Sequence, residues 1–389
     1  MTAMTSNRRA ALKTFVAVGA TAAVGCSAEE TAMSKAAATT ATSSKAVTAA
    51  ADPVVAIVPL GRQWPTIDPF LFCVHHNDRY PRGDDNMAPV ASLAGRQMGA
   101  DFGGKDGWSM YHGRSVPGFP QHPHRGFETV TVVRKGLIDH SDSVGATARY
   151  GGGDVQWLTA GKGVLHAEMF PLVNNDVDNH TELFQIWLNL PKADKFSEPR
   201  FTMFWNEDIP RRVLTDSNGK KTELVVVAGT WADAKGLPPP KDSYGSKDRS
   251  DLAIWTLKLE AGATVTLPAA KEGTHRVAYV FEGNGAQFAE RSVPPESAVQ
   301  LEGALDVVIV NGDAPAEILV LQGKPIGEPV AQHGPFVMNS QAEIQQAFAD
   351  YRRTEFGGWR WGKDDPVHAR TEGRFAKHTD GRTERPKTA

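Results

Sequence analysis

Cysteine is almost absent: Cys26 and Cys73 are the two in 389 residues. Two such residues imply no disulfide framework. An excess of charge is also lacking, since 42 Lys and Arg against 45 Asp and Glu leave a net charge of −3. No basic stripe is visible, so there is no electrostatic case for nucleic acid as a partner. Long apolar runs are missing too. The stretch from Phe15 to Gly25 is too short to span a bilayer comfortably, and no other segment approaches one. What is plentiful is Gly (37) and Pro (25), which favours many turns and a β-rich fold. The 41% apolar and 8% aromatic content is that of an ordinary globular protein, long enough for two domains or one large one.

The N-terminus has the pattern of an export signal. Arg8-Arg9 precede a weakly hydrophobic segment rich in Ala, Val and Gly, as in twin-arginine signals. Ala23-Val24-Gly25-Cys26 is similar to a lipobox, in which Cys26 would become the lipidated first residue, with Ala where Leu is usual. A plain signal peptide cut nearby is the alternative. Residues 1–26 are thus read as a signal, and the chain is expected to be exported, either periplasmic or anchored to a membrane through Cys26. Residues 27–52 are almost all Ala, Ser, Thr, Lys and Glu, and read as a flexible linker.

From Val54 onward, strand-like runs of about five to seven residues alternate with Gly or Pro turns. Glu128-Thr129-Val130-Thr131-Val132-Val133, Asp154-Val155-Gln156-Trp157-Leu158-Thr159 and Leu183-Phe184-Gln185-Ile186-Trp187-Leu188 are clear cases. After Pro199 a second set with the same rhythm runs from Leu224 to Leu321. The rhythm predicts an all-β fold of two related barrels, the first over 53–198 and the second over 199–350. Ser340-x-x-Glu343 is a capping box, and Ile344, Ala347, Phe348 and Tyr351 behind it give one apolar face of a short C-terminal helix. Segment 81–110 reads as an irregular insertion, and 351–389 as a polar, loosely ordered tail.

Two short windows carry the chemistry. Residues 122–128 read His-Pro-His-Arg-Gly-Phe-Glu, and 161–168 read Gly-Lys-Gly-Val-Leu-His-Ala-Glu. On a strand, side chains two apart share a face. His122 and His124 would converge on one spot, and His166 and Glu168 on another. Facing each other across a barrel, the pairs make a site of three imidazoles and one carboxylate. Such a set suits Fe, Mn, Co, Ni, Cu or Zn without singling out one. Arg125 and Gln156 would orient ligands or satisfy buried backbone groups. Phe127, Trp157 and Met169 would line the site or, more simply, pack the core. His140 reads as a solvated strand end and Cys73 as core, and His112, just upstream of the first ligand pair, as at most part of the pocket mouth; none of the three is taken as a site residue.

These windows resemble the pirin family. Gly118-Phe119-Pro120-Gln121-His122-Pro123-His124-Arg125-Gly126-Phe127-Glu128 and Gly153-Asp154-Val155-Gln156-Trp157-Leu158-Thr159-Ala160-Gly161-Lys162-Gly163-Val164-Leu165-His166-Ala167-Glu168-Met169 are similar to its signatures. So is His333-Gly334-Pro335-Phe336-Val337-Met338-Asn339, and the three blocks lie in family order over residues 115–350. The resemblance implies a bicupin, two double-stranded β-helix domains packed face to face. It implies one divalent metal in the first cupin, most often Fe(II), on His122, His124, His166 and Glu168. It puts Glu168 ahead of Glu128, the carboxylate that the commoner cupin pattern H-x-H-x₃-E would imply. The second cupin offers only Thr274-His275-Arg276 at the corresponding place, so no second metal is expected there.

The activity implied is that of a quercetin 2,3-dioxygenase, with a small phenolic substrate and O₂ as reactants and Glu168 as catalytic proton acceptor. The alternative the resemblance admits is a non-catalytic, metal-binding module that acts on partner proteins in a redox-responsive or regulatory way. A monomer is expected.

Overall fold

The computed structural model describes residues 52–387. The twin-arginine pair, Cys26 and the linker up to residue 51 lie outside the described residues. None of the helices described is long and apolar enough to cross a membrane.

Strands dominate, and every ladder is antiparallel. The first barrel is built from β2 (Phe70–Tyr80), β3 (Gly118–His124), β4 (Phe127–Lys135), β5 (Leu137–Asp142), β6 (Thr147–Gly151), β7 (Val155–Thr159), β8 (Val164–Met169), β9 (Asn179–Asn189) and β10 (Arg200–Phe204). One sheet has the order β10-β7-β4-β9-β2. The facing sheet runs β6-β5-β8-β3 and is extended beyond β6 by two short strands from the C-terminal segment, Phe375–Lys377 and Thr383–Glu384. The second barrel carries a seven-stranded sheet. Its edges are β1 (Val54–Pro59) on one side and β11 (Arg211–Thr215), paired with β12 (Lys221–Ala228), on the other. A four-stranded sheet that includes Thr264–Leu267 and Val307–Val310 closes it.

The alternation in β4 shows how sequence becomes architecture. Val130 and Val132 point out of the first barrel, while Thr129 and Thr131 point into it. The outward pair joins Cys73, Trp157, Phe184 and Ile186 in a core shared with Val227, Ile254, Tyr279 and Leu319 of the second barrel. Each large apolar side chain buried there stabilises the joint by roughly 1.5–3 kcal/mol. Cys73 is a buried thiol inside this core, as its apolar surroundings indicated. The interior of the second barrel is apolar, with Val226, Trp255, Leu257, Val265, Val280 and Val299 packed together.

Two strands cross the expected boundary at 198/199. β1, though first in the chain, pairs with Ser297–Glu302 of the second barrel. β10, just after the boundary, pairs with β7 of the first. Each barrel thus holds a strand from the far side of the divide, which ties the two together.

The helix forms where the capping box indicated, as α1 (Gln341–Thr354). The Ser340 side chain accepts from Glu343 N, and Glu343 Oε2 accepts from Asn339 N at 2.8 Å. Ile344 and Ala347 are its buried face, packed on Phe336 and Met338.

The tail is not loose, contrary to its polar composition. Arg149 on β6 is fully buried and makes a two-pronged pair with Asp139 at 2.7 Å on each arm. Its remaining donors reach the carbonyls of His368, Ala369 and Glu372. A buried guanidinium needs such acceptors, and the tail supplies them. Segment 81–110 is irregular as expected, yet packed. Arg96 is buried against Asp101 at 2.9 Å, and its guanidinium lies over the Trp108 ring.

Candidate metal centre

β3 and β8 are neighbours, and His122 and His166 are direct cross-strand partners. A register irregularity between Phe119 and His122 sets this pairing. The three histidines come together inside the first barrel. His122 Nε2 and His124 Nε2 are 3.1 Å apart, and the His166 ring centre lies 4.4 Å from that of His122 and 4.8 Å from that of His124. Ligand atoms of the three all fall within 4.8 Å of one another, the one such group of three metal-ligating side chains found among the described residues. Glu168 stands beside them, with Oε2 3.7 Å from His166 Nε2.

Two glycines make the approach possible. Gly126 follows the His-Pro-His-Arg run with φ 85°, a left-handed conformation that suits glycine. A Cβ there would lie 2.0 Å from the Val337 carbonyl. Gly118 at the start of β3 has φ 125°, and a Cβ would come within 2.5 Å of the Glu168 carbonyl.

Burial sets the electrostatics. It lowers the His122 ring to about 4, and lowers His124 and His166 well below the usual histidine range, the neighbouring rings adding to the effect. All three imidazoles are therefore neutral near pH 7, the form that donates a lone pair to a metal. Burial raises the Glu168 carboxyl to about 6, opposed by the His140 charge and by a hydrogen bond from Thr131 Oγ1 at 3.1 Å. Both nitrogens of His166 are buried with no hydrogen-bond partner among the described residues. Leaving a buried polar atom unsatisfied costs about 1–3 kcal/mol, and a metal ion would remove that cost at one of the two nitrogens. The donor set present therefore fits a divalent cation of the borderline type.

Glu128 faces the other way. Its carboxylate points into the joint between the barrels and accepts from Trp157 Nε1 (3.0 Å), Thr159 Oγ1 (2.7 Å), Ser243 Oγ (2.9 Å) and Tyr244 N (3.0 Å). Burial raises it to about 7 against those four donors. Trp157 belongs to the same joint, not to the site. Phe127 does touch the site, 4.9 Å from the His124 ring and 4.4 Å from Trp187. Met169 is buried and is the cross-strand partner of Gly118.

Arg125 makes its printed bonds away from the ligand side chains. It clamps the C-terminal elements: NH1 donates to Asp350 on α1 at 2.9 Å, and Nε donates to the Lys162 carbonyl at 2.6 Å. Lys195, buried, donates to the carbonyls of Gly126 (2.8 Å) and Val337 (3.2 Å) from the same corner. His112 is half-buried, with Nδ1 2.7 Å from the Gly99 carbonyl and its ring 5.7 Å from that of Phe119.

His140 corrects the sequence reading. It is fully buried rather than solvated, stacks on Phe201, and is the cross-strand partner of Glu168 on β5. Its Nε2 lies 3.2 Å from Asp142 Oδ2. Thr131, Gln185 and Trp187 also face the site without having been singled out. The period-2 alternation of β4 and β9 would have placed them on the inner face once that face was fixed by the histidines.

The fold and site define a bicupin whose first barrel can hold a metal. Residues 60–188 match the family model described as Pirin, and 254–357 match the one described as Pirin C-terminal cupin domain. The chain belongs to the pirin family. It is 39% identical to Pirin-1 of Arabidopsis thaliana over 245 residues, 62% of this chain and 78% of that one. It is also 39% identical over 240 residues to a Pseudomonas aeruginosa protein provisionally named quercetin 2,3-dioxygenase, covering 61% of this chain and 79% of that one. Among solved structures, a quercetin 2,3-dioxygenase from Acinetobacter baumannii matches with a TM-score of 0.62 and 28% identity, over 79% of this chain and 98% of that one.

Proposed function

We propose that the chain is an oxygenase of flavonol-like phenols, with one divalent metal held by His122, His124, His166 and Glu168. The observation that carries this is the set of three buried, neutral imidazoles whose ligand atoms lie within 4.8 Å of one another. Relatives bearing the quercetin 2,3-dioxygenase name support the substrate class. Fe(II) is the metal we favour; the ligand types leave Mn, Co, Ni, Cu and Zn open.

A metal bound there supplies Lewis acidity to a substrate hydroxyl and a common anchoring point for substrate and O₂. The protein does the rest. Glu168, raised to about 6, is ionised at neutral pH yet basic enough to accept a phenolic proton at Oε2. Thr131 holds the other oxygen, Oε1, so the carboxylate keeps one lone-pair face for that proton. Phe127 and Trp187 give the His124 side of the site an apolar wall that excludes water. Export through the Arg8-Arg9 signal, with Cys26 as a lipid anchor, belongs to the same proposal. It places the enzyme outside the cytoplasm, which disfavours the regulatory alternative.

The test is metal content and oxygen uptake of the exported protein beside His124→Ala and Glu168→Ala. About one metal per chain, lost in both variants, with oxygen consumed in the presence of a flavonol, is the expected result. Metal retained in both variants, or no uptake with the metal in place, would overturn the reading.

A further inference from the structure

The metal reading leaves one row of the first barrel unexplained. Met203, Gln156, Thr131 and Gln185 are successive cross-strand partners on β10, β7, β4 and β9, and the row ends at Val74 on β2. This is the inner face, because Thr131 Oγ1 reaches Glu168 Oε1 across the barrel. Gln156 is fully buried, and neither its Oε1 nor its Nε2 has a hydrogen-bond partner among the described residues. Two residues along β4 from Thr131, the Thr129 hydroxyl is buried and equally without one among the described residues. Thr131 has a single hydroxyl proton for two acceptors, Glu168 Oε1 and Gln185 Oε1 at 2.8 Å. On the facing sheet Tyr150 is buried on β6, its hydroxyl kept protonated by burial and by the Glu168 charge.

A primary carboxamide with both ends idle is rarely kept in an interior; buried polar groups are nearly always satisfied by protein, water or ligand. Replacement by an apolar side chain of the same shape would be neutral or stabilising, so fold stability does not account for Gln156. The chemistry of the row is specific. Gln156, Thr129, Thr131, Gln185 and Tyr150 are all uncharged, and together they offer both donors and acceptors. They suit a neutral ligand whose oxygens can both give and take a hydrogen bond, which describes a hydroxylated ring or an enediol better than a carboxylate or a phosphate.

We propose that Gln156 is a specificity-determining residue of this site, its carboxamide reading a hydroxyl of an uncharged, polyhydroxylated aromatic ligand bound inside the first barrel beside Glu168. This rests on the phenol-oxygenase reading above and adds which feature of the phenol is recognised. Thr129 stands next to the same hydroxyl, and Thr131 links the row to the proton-accepting carboxylate.

The experiment uses the full chain loaded with metal, kept anaerobic, and measures equilibrium binding by fluorescence quenching. The probes are a flavonol with a catechol ring and the flavonol lacking those ring hydroxyls. The wild type is expected to favour the hydroxylated probe by about 10–100-fold, the range of one satisfied against one idle buried polar group. Gln156→Met, which keeps length and volume, should bring the ratio to within about 3-fold, with metal content unchanged and thermal stability equal or higher. Gln156→Leu is the second variant should Met pack poorly. An unchanged ratio in both variants, no discrimination by the wild type, or a fall in stability that shows Gln156 to be structural would each overturn the proposal. Oxygen uptake, run separately, keeps the two readings apart. Gln156-dependent discrimination without oxygen consumption sinks the oxygenase alone. Oxygen consumption with an unchanged ratio sinks the role of Gln156 alone. No binding of either probe and no uptake sink both.

Discussion

His140 and Glu168 are direct cross-strand partners on β5 and β8, and both are buried on the inner face of the first barrel. Burial pushes the Glu168 carboxyl up to about 6, and the His140 charge beside it pulls the other way. Removing that charge should let burial act with less opposition. In His140→Phe, whose ring can still stack on Phe201, the metal-free protein should show the Glu168 carboxylate band titrating at a higher pH than in the wild type. Infrared difference spectroscopy across pH 4 to 9 reads this directly. A midpoint that stays at the wild-type value would show that His140 carries no charge felt by Glu168. Asp142 keeps in the variant the bonds its Oδ1 accepts from Gly145 N at 2.8 Å and Ala146 N at 2.9 Å, while its Oδ2 loses the His140 partner.

Glu128 gives a prediction of opposite character, since it lies outside the site. Its folded-state value of about 7 is above the ordinary 4.5, so between those limits the folded protein holds a proton that the unfolded chain has lost. The stability it contributes is therefore complete below about pH 4.5 and declines as pH rises through 7. Glu128→Gln should flatten this part of the pH–stability curve. It should also destabilise by about 1–3 kcal/mol at pH 5. A carboxamide cannot accept from both Trp157 Nε1 and Tyr244 N with its two ends, and one donor is left facing an NH₂ group. Chemical denaturation at pH 5 and pH 8 measures both effects. An unchanged pH slope would sink the assignment of that proton to Glu128.

The contrast between Glu128 and Glu168 marks how far sequence carries. Two carboxylates at metal-compatible spacing are visible in the chain, and residue alternation puts His122, His124, His166 and Glu168 on shared faces. Alternation also turns Glu128 outward relative to Thr129 and Thr131. Which face is inward depends on the partner sheet, which no local pattern records. The same holds for His140: a histidine before an acidic residue near a turn reads as solvated, and only the docking of β5 against β8 buries it. Arg149 explains the tail in the same way. Its need for acceptors is plain once it is buried, but those acceptors come from a segment more than 200 residues away in sequence. The two-barrel rhythm and the capping box of α1 are local signals, and both were legible.

Arg125 and Asp350 join the end of β3, the strand that carries His122 and His124, to α1. The Arg125 guanidinium holds the Asp350 carboxyl down at about 2, below its ordinary 3.8. The folded value is depressed, so this contribution is present above about pH 4 and fades as pH falls toward 2. Asp350→Ala should cost about 2 kcal/mol at pH 7, since it strips a charged partner from a buried guanidinium. Arg125 keeps its bond to the Lys162 carbonyl and its place over the Phe356 ring, so the loss should stop short of unfolding. Because Arg125 lies between His124 and Gly126, metal affinity should fall along with stability. Asp350→Glu should recover part of both. Thermal melts with and without metal separate the two, and a loss of stability with unchanged affinity would show that the clamp does not position the end of β3.

Metal binding should depend on pH in an order fixed by the site itself. In the metal-free protein Glu168, at about 6, takes up a proton before His122, at about 4, as pH falls. At pH 7.5 all four proposed ligands are in their metal-binding forms. A divalent ion at 100 times its dissociation constant should then stabilise the fold by about 2.7 kcal/mol. The first loss on acidification should come near pH 6, as Glu168 competes for a proton, and the steep loss only toward pH 4. In Glu168→Gln the shoulder near pH 6 should vanish, leaving weaker binding with one steep limb at lower pH. In His166→Ala the stabilisation by metal should disappear at every pH. Melting temperatures recorded from pH 4 to 8, with Fe(II) kept anaerobic or with Co(II) as a stable substitute, provide the measurement. A shoulder that persists in Glu168→Gln would remove that carboxylate from the ligand set and leave the three histidines to hold the ion without it.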